Sequence, residues 1–375
     1  METSFTDRKR QTRSAIYHCL YESDGFCTRQ SLAQTLGLSL PTIYQNLSEL
    51  VDIGLVRYSG EAQSTGGRRA AGVEIVPDAR IAVGVSITSG RVRLSAADLR
   101  LKERAYRSVP ARTQGAYTEQ LGEQLGRELE SFLDDYQIDR SKLLGIGVAI
   151  PAVLTPEQTD VILSPTLGLT DLDPELLTRR IAYPKTVVND ATSAGFAEWF
   201  VRGAKGSMAY MSLEGGVGGA VLIDGSPYFG TNLRSGEFGH MCVEPGGLPC
   251  RCGKHGCLEA YCSLDRISRD LGISLTEFFD GLTQHEPEYE IIWTDMLRHL
   301  AIGIANIRMV LDCDVVLGGV LAQYCAPYLT LLRKYVSTND PFGSGADFVK
   351  LSVFGKHSVP LGAALHFINS FLDNI

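Results

Sequence analysis

Three cysteine thiols fall within eight residues: Cys250, Cys252 and Cys257 of the run Cys250-Arg-Cys-Gly-Lys-His-Gly-Cys-Leu-Glu259. Gly253 and Gly256 between them permit the tight turns that wrap one tetrahedral ion, and a closed zinc site takes four ligands. His240, ten residues upstream, and His255, inside the loop, both qualify as the fourth. His255 stands two residues before Cys257, where joint ligation strains the loop, so His240 is preferred and Cys242 is the weaker candidate. The nine cysteines are odd in number and unevenly spaced. In a cytosolic chain a local cluster reads as metal binding before disulfide, and the scattered Cys19, Cys27, Cys313 and Cys325 read as small buried hydrophobes. A structural Zn2+ on His240, Cys250, Cys252 and Cys257 is therefore expected.

The elements that must position this loop belong to the α/β class. Gly84–Asp98 reads as two strands around a turn, and Leu144–Pro151 as a buried strand ending at a proline. Val187–Asp190 is a strand whose end delivers two polar side chains, and Met208–Leu213 with Gly219–Ile223 forms a strand pair with Asp224-Gly225 as its turn. Helices are predicted over 115–136, 191–203, 258–271, 295–312 and 359–373. The 375 residues suggest two to three folding units. The longest nearly apolar stretch, Leu143–Leu154, is too short for a membrane span and contains Pro151. The basic run Arg8-Lys9-Arg10 is followed by polar residues rather than an apolar signal core, so a cytoplasmic location without membrane contact is expected.

The first eighty residues are built differently. Ala15, Ile16, Cys19 and Leu20 lie at helical spacing, Thr28 is placed to cap a short second helix, and Gly37 supplies a turn. Ser39 caps a third helix with Ile43, Leu47, Leu50 and Val51 on its buried stripe. Leu55–Ser59 and Gly72–Ile75 then read as a hairpin around a loop containing Arg68 and Arg69. The phrase from Ser39 to Val56 resembles the winged-helix pattern of bacterial repressors. In such a dock the N-terminal side of the third helix meets the major groove, which exposes Leu40, Pro41, Thr42, Tyr44, Gln45 and Ser48. Gln45 suits adenine, and Thr42 and Tyr44 suit a thymine methyl or a phosphate. Arg68 and Arg69 suit a narrow A·T-rich minor groove. The net charge of −8 belongs entirely to the residues beyond this neutral module, and an acidic body discourages non-specific binding to DNA.

The segments Asn189-Asp190, Gly236-Glu-Phe-Gly-His240 and Cys250-x-Cys252-Gly-x-x-Gly-Cys257-Leu-Glu259 resemble the signature of the ROK family (repressor, open reading frame, kinase). Pro165-x-x-Gly168, Leu317-Gly-Gly319 and Gly362-Ala-Ala364 extend the match, and the winged helix in front gives the layout of that family's xylose, glucose and N-acetylglucosamine repressors. The resemblance implies a two-lobed, actin-like, sugar-kinase-like domain over 80–375 behind a winged helix-turn-helix over 1–76. One lobe takes roughly 80–190 with 359–375, and the other roughly 191–358. It also implies that Asn189, Asp190, Glu237, His240 and Glu259 hydrogen-bond sugar hydroxyls, with His240 offering the sugar the ring nitrogen that zinc leaves free.

Two departures from the family pattern bear on chemistry. The first phosphate loop, ordinarily Asp-x-Gly-Gly-Thr-Lys, reads Ser86-Ile-Thr-Ser-Gly-Arg91, and the second begins with Glu214 where a glycine is usual. The magnesium-supporting acid is lost and a negative charge is gained where nucleotide phosphates approach. Ala152 replaces the glycine after Pro151, and its methyl is expected to crowd the sugar. The reading is a non-enzymatic, sugar-responsive repressor that binds a double-stranded DNA operator as a homodimer or homotetramer and is relieved by a sugar or sugar phosphate. Its alternative is a ROK sugar kinase with an appended DNA-binding domain.

Overall fold

The computed structural model describes residues 5–23, 27–59, 72–88, 90–111, 117–155, 161–164, 167, 169–203, 205–343 and 345–375. Arg68, Arg69, Ser89, Pro165 and Gly168 lie outside the described residues.

The chain opens with α1 (Phe5–Glu22), β1 (Cys27–Thr28), α2 (Arg29–Leu36), α3 (Leu40–Asp52), β2 (Val56–Ser59) and β3 (Gly72–Ile75). The predicted caps are in place. Thr28 accepts from the Ser31 backbone in a reciprocal capping box, and Ser39 accepts from the Thr42 N–H. Gly37 takes φ +64° at the turn between α2 and α3. The expected hairpin of β2 and β3 gains β1 on its far edge, giving the order β1-β3-β2. Two residues of strand carry too little pattern to be seen in sequence.

Two five-stranded sheets follow. The first comprises β4 (Ile81–Ile87), β5 (Arg91–Asp98), β6 (Glu103–Pro110), β7 (Leu143–Ile150) and, beyond the small strands β8 (Val153–Leu154), β9 (Val161–Ser164) and β10 (Leu169–Leu172), β11 (Lys185–Asn189). α4 (Tyr117–Asp135) and the short α5 (Glu175–Thr178) lie between its strands in sequence. The strand order is β11-β7-β4-β5-β6. After α6 (Asp190–Val201), the second sheet is built from β12 (Met208–Leu213), β13 (Val217–Ile223), β14 (Ser226–Pro227), β15 (Asp314–Gly318) and β16 (Val349–Leu351), in the order β14-β13-β12-β15-β16. In each sheet an antiparallel three-strand meander is extended by two parallel strands on the far side of its first strand. The same topology occurs twice, as an actin-like sugar-kinase fold requires.

Asp224-Gly225 does not join β12 to β13. It turns β13 into β14, and Glu214-Gly215-Gly216 makes the link between β12 and β13. The predicted helix over 258–271 is broken into α7 (Glu259–Cys262) and a separate turn of π-helix, Arg266–Asp270. α8 (Leu275–Thr283) and the small α10 (Ala322–Cys325) and α11 (Leu329–Thr338) were not anticipated, and α9 (Pro287–Leu311) starts eight residues earlier than the apolar spacing indicated.

The closing helix, α12 (Ser358–Asp373), crosses the first sheet and packs on α6. The approach is close. A Cβ on Gly362 would stand 1.8 Å from the Ser193 carbonyl oxygen, and one on Gly84 would stand 1.6 Å from that of Pro360. The winged helix does not hang from this body on a linker. Ile16, Tyr17 and Leu20 of α1 share one continuous core with Leu99, Leu361 and Ile368. Tyr21 donates to the Leu99 carbonyl at 2.6 Å, His18 Nε2 stands 3.2 Å from the Leu372 carbonyl, and Arg10 donates to Asn374 Oδ1 at 2.7 Å. Among the described residues no helix is long and apolar enough to cross a membrane.

Candidate functional site

His240, Cys250, Cys252 and Cys257 come together with their ligand atoms all within 4.8 Å of one another. The loop is pinned by the Cys250 N–H on the Lys254 carbonyl at 2.8 Å and by Gly253 N–H on the Cys250 carbonyl at 3.0 Å. Gly256 takes φ +80°, and a Cβ there would meet the Glu244 carbonyl at 1.9 Å, so the turn admits no side chain. The Cys252 and Cys257 sulfurs stand 3.7 Å apart, and Cys250 Sγ stands 3.8 Å from His240 Nδ1. Tetrahedral ligands about 2.3 Å from a zinc ion are separated by about 3.8 Å, so the donor set has the size and softness for that ion. Burial pushes the Cys257 thiol up to about 12 and raises Cys250, while the Lys254 backbone N–H lowers Cys252. A cation would favour the thiolates that burial opposes. His255 and Cys242 lie outside the cluster.

His240 faces two ways. With Nδ1 toward Cys250, its Nε2 stands 3.9 Å from Glu237 Oε2. Glu237 is exposed on the cleft and borders a cavity of about 430 Å3 together with Asn189 and Ala152. Asn189 caps α6, accepting from the Thr192 N–H at 2.8 Å and donating to the Ala152 carbonyl at 2.9 Å. The cap is thus Asn189 rather than Asp190, and one lone pair and one N–H of its amide remain for other partners. Asp190 is the first residue of α6, and its Oδ1 accepts from the Ala191 N–H at 2.8 Å. Burial, opposed by backbone hydrogen bonds and reinforced by the charge of Glu237, pushes its carboxyl up to about 6.

Glu259 is already engaged. Its Oε2 accepts from the Val217 N–H at 3.0 Å and its Oε1 from Arg251 Nη2 at 3.0 Å, while Arg251 also reaches Asp265 at 3.2 Å. Arg251 sits between two of the cysteines and was not singled out in the sequence, because an ion pair bridging a loop to a helix leaves no local pattern. On the nucleotide side, Ser86 is buried within β4. Glu214 closes its own loop by accepting from the Val320 N–H at 3.1 Å, immediately after Gly318-Gly319. Burial raises its pKa, and nearby Arg93 works against that rise.

In the winged helix, Leu40, Pro41, Tyr44 and Gln45 are exposed on α3, and Thr42 and Ser48 are half-buried on it. Asn46, between them, is buried and donates to the Thr42 carbonyl. Arg29, a further cation that the sequence did not mark, lies over the Tyr44 ring at 5.3 Å and the Tyr58 ring at 5.1 Å.

A thiol-and-histidine cluster beside the cleft of a duplicated sugar-kinase fold defines the class. The chain belongs to the ROK family, whose model matches residues 82–369, and residues 9–57 match a winged helix-turn-helix DNA-binding model. It is 24% identical to the xylose repressor of Bacillus subtilis (strain 168), over 93% of this chain and 92% of that protein. It is 28% identical to the DNA-binding transcriptional dual regulator NagC of Escherichia coli (strain K12), over 68% of this chain and 63% of that one. Among solved structures, a ROK family transcriptional regulator described as a homologue of the E. coli MLC protein aligns with TM-score 0.75 at 20% identity, covering 98% of this chain and 97% of that one. The ROK hexokinase of Thermus thermophilus aligns with TM-score 0.64 at 25% identity, covering 78% and 99%.

The raised carboxyl of Asp190 has a measurable sign. Its folded value of about 6 exceeds the ordinary 3.8, so the folded chain keeps a proton that the unfolded chain releases between those values. Stability therefore falls as pH rises through that window and levels off above it. Asp190→Asn is expected to flatten this slope and to gain on the order of 1–3 kcal/mol near neutrality. Denaturant midpoints at about pH 4.5 and about pH 7.5 check it, and a variant whose advantage is no larger at the higher pH contradicts it.

Proposed function

We infer that this ROK-family chain is a sugar-responsive DNA-binding transcriptional regulator, a repressor whose operator binding is relieved by carbohydrate. One observation carries the reading. α6 begins at Asn189-Asp190 in the cleft and ends near Phe200, whose ring centroid lies 6.4 Å from that of Tyr21 in α1. A sugar held at the start of α6 acts on the same rigid element that supports the DNA-binding helices. Asn189, Asp190, Glu237 and the free nitrogen of His240 take the hydroxyls, and Glu259 joins them where the sugar competes with Arg251.

On DNA, α3 enters the major groove with Leu40, Pro41, Thr42, Tyr44, Gln45 and Ser48, and Arg68 and Arg69 reach the minor groove. Two modules of a homodimer, or of a homotetramer built from dimers, read half-sites separated by whole helical turns. The reading requires the cytoplasm, where operator DNA is found. Zinc on His240, Cys250, Cys252 and Cys257 is structural, fixing the ring of His240 so that its other nitrogen faces the cleft.

A kinase reading is favoured by Asp190 alone, whose raised carboxyl suits a general base. Ser86 in place of the metal-supporting acid and Glu214 at the phosphate loop oppose it. The test uses duplexes selected from random sequence by the purified protein. Xylose, glucose, N-acetylglucosamine and their phosphates are then titrated into the complex, and ATP turnover is assayed in parallel. Release by a sugar, with no ATP-dependent phosphorylation, is expected. Turnover above background reverses the assignment.

For the metal, elemental analysis is expected to find one zinc per chain. Cys252→Ser is expected to lose it and to destabilise the fold by several kcal/mol. Metal-free wild-type protein of undiminished melting temperature would contradict this.

A further inference from the structure

The cavity at Asn189 and Glu237 does not end where one sugar ring would. It continues outward along α12, past His366 and Asn369 to Asp373 and Asn374. From Gly362 to Asp373 the helix climbs about 16 Å at 1.5 Å per residue, a floor far longer than a single pyranose. The lining also includes Phe229, 38% exposed, from the loop after β14. An aromatic face left open in a concave site of mixed polarity is a stacking platform for the C–H face of a sugar ring.

The α12 side of the cavity suits hydroxyls. Asn369 Nδ2 donates to Asp373 Oδ2 at 3.0 Å, which leaves Asn369 Oδ1, its second N–H and the other Asp373 oxygen for vicinal hydroxyls. His366, on the same helix, adds an imidazole that can meet a hydroxyl. The described lining contains the carboxylates Glu237 and Asp373 but no lysine or arginine. A phosphorylated sugar would enter beside two carboxylates, Glu237 and Asp373, which disfavours its charge. The far end of the groove is Asn374, the residue that accepts from Arg10 of α1.

We propose that this outer groove is a second carbohydrate subsite, and that the effector is an uncharged oligosaccharide of at least two rings. The first ring occupies the Asn189–Glu237 end, and the second lies between Phe229 and the Asn369–Asp373 face of α12. The proposal rests on the sugar-effector reading and narrows it. A two-ring ligand touches both helices that support the winged helix, α6 at its start and α12 at its end.

Calorimetry on the full chain separates the possibilities. Xylose, glucose and N-acetylglucosamine are compared with xylobiose, cellobiose, maltose and chitobiose, and with glucose 6-phosphate and N-acetylglucosamine 6-phosphate. One disaccharide is expected to bind at least about tenfold more tightly than its monosaccharide. Phe229→Ala and Asn369→Ala, both at solvent-accessible positions, are each expected to erase most of that advantage while leaving the monosaccharide affinity unchanged. The unchanged monosaccharide affinity also shows that each variant is folded. Monosaccharides or 6-phosphates binding as tightly as every disaccharide, with no response to either substitution, overturns the outer subsite and leaves the sugar-effector reading standing. Failure of every carbohydrate to bind overturns both.

Discussion

A single buried carboxylate ties α6 to the segment that leads into α12. Glu198, fully enclosed on α6, accepts from the Val353 N–H at 3.1 Å, the Phe354 N–H at 3.2 Å, the Ser352 hydroxyl at 2.5 Å and Arg202 at 3.3 Å. A carboxylate taken out of water is tolerated only when its oxygens are this fully met, and removing a partner would leave a costly buried charge. The loop it grips leads directly into α12. α6 and α12, already in contact at Gly362, are therefore one rigid body. Asn189 at the start of α6 borders the cavity, and Phe200 near its end meets Tyr21 of α1.

The same body explains how a kinase scaffold serves as a sensor. Asn189 and Asp190, the proposed sugar contacts, stand at the start of α6, which is packed on α12. Glu214 at the loop after β12 has a structural hydrogen bond. Glu214 spends its carboxylate on the Val320 amide, tying the loop after β12 to the glycine pair after β15. Arg251 likewise binds the cysteine loop to Glu259 and Asp265.

What the sequence disclosed follows from the range of the interactions involved. The caps at Thr28 and Ser39, the turn at Gly37 and strands β4, β5, β7, β11, β12 and β13 are set by neighbours a few residues apart, and they were legible, whereas β6, β14, β15 and β16 were not read as strands. The choice of His240 over His255 was legible too, because ligand spacing is a local geometric problem. The link between β12 and β13 was misplaced, since Asp224-Gly225 has the chemistry of a hairpin turn and serves a different hairpin. α8 and α11 escaped notice between more strongly patterned segments. The Arg251–Glu259 pair, the capping duty of Asn189, the Arg29–Tyr44–Tyr58 stack and the polar face of α12 are tertiary. Each requires knowing which segments meet.

The central claim is that sugar and DNA communicate through the packing of α1 against α6 and α12. The direct measurement is the ratio of DNA affinities with and without the effector sugar, in wild type and in Tyr21→Ala. In the wild type a coupling of about 1–3 kcal/mol should give a ratio of roughly 5 to 150. The variant should bind each ligand alone while its ratio falls toward one. A Tyr21→Ala protein with the wild-type ratio would contradict the account.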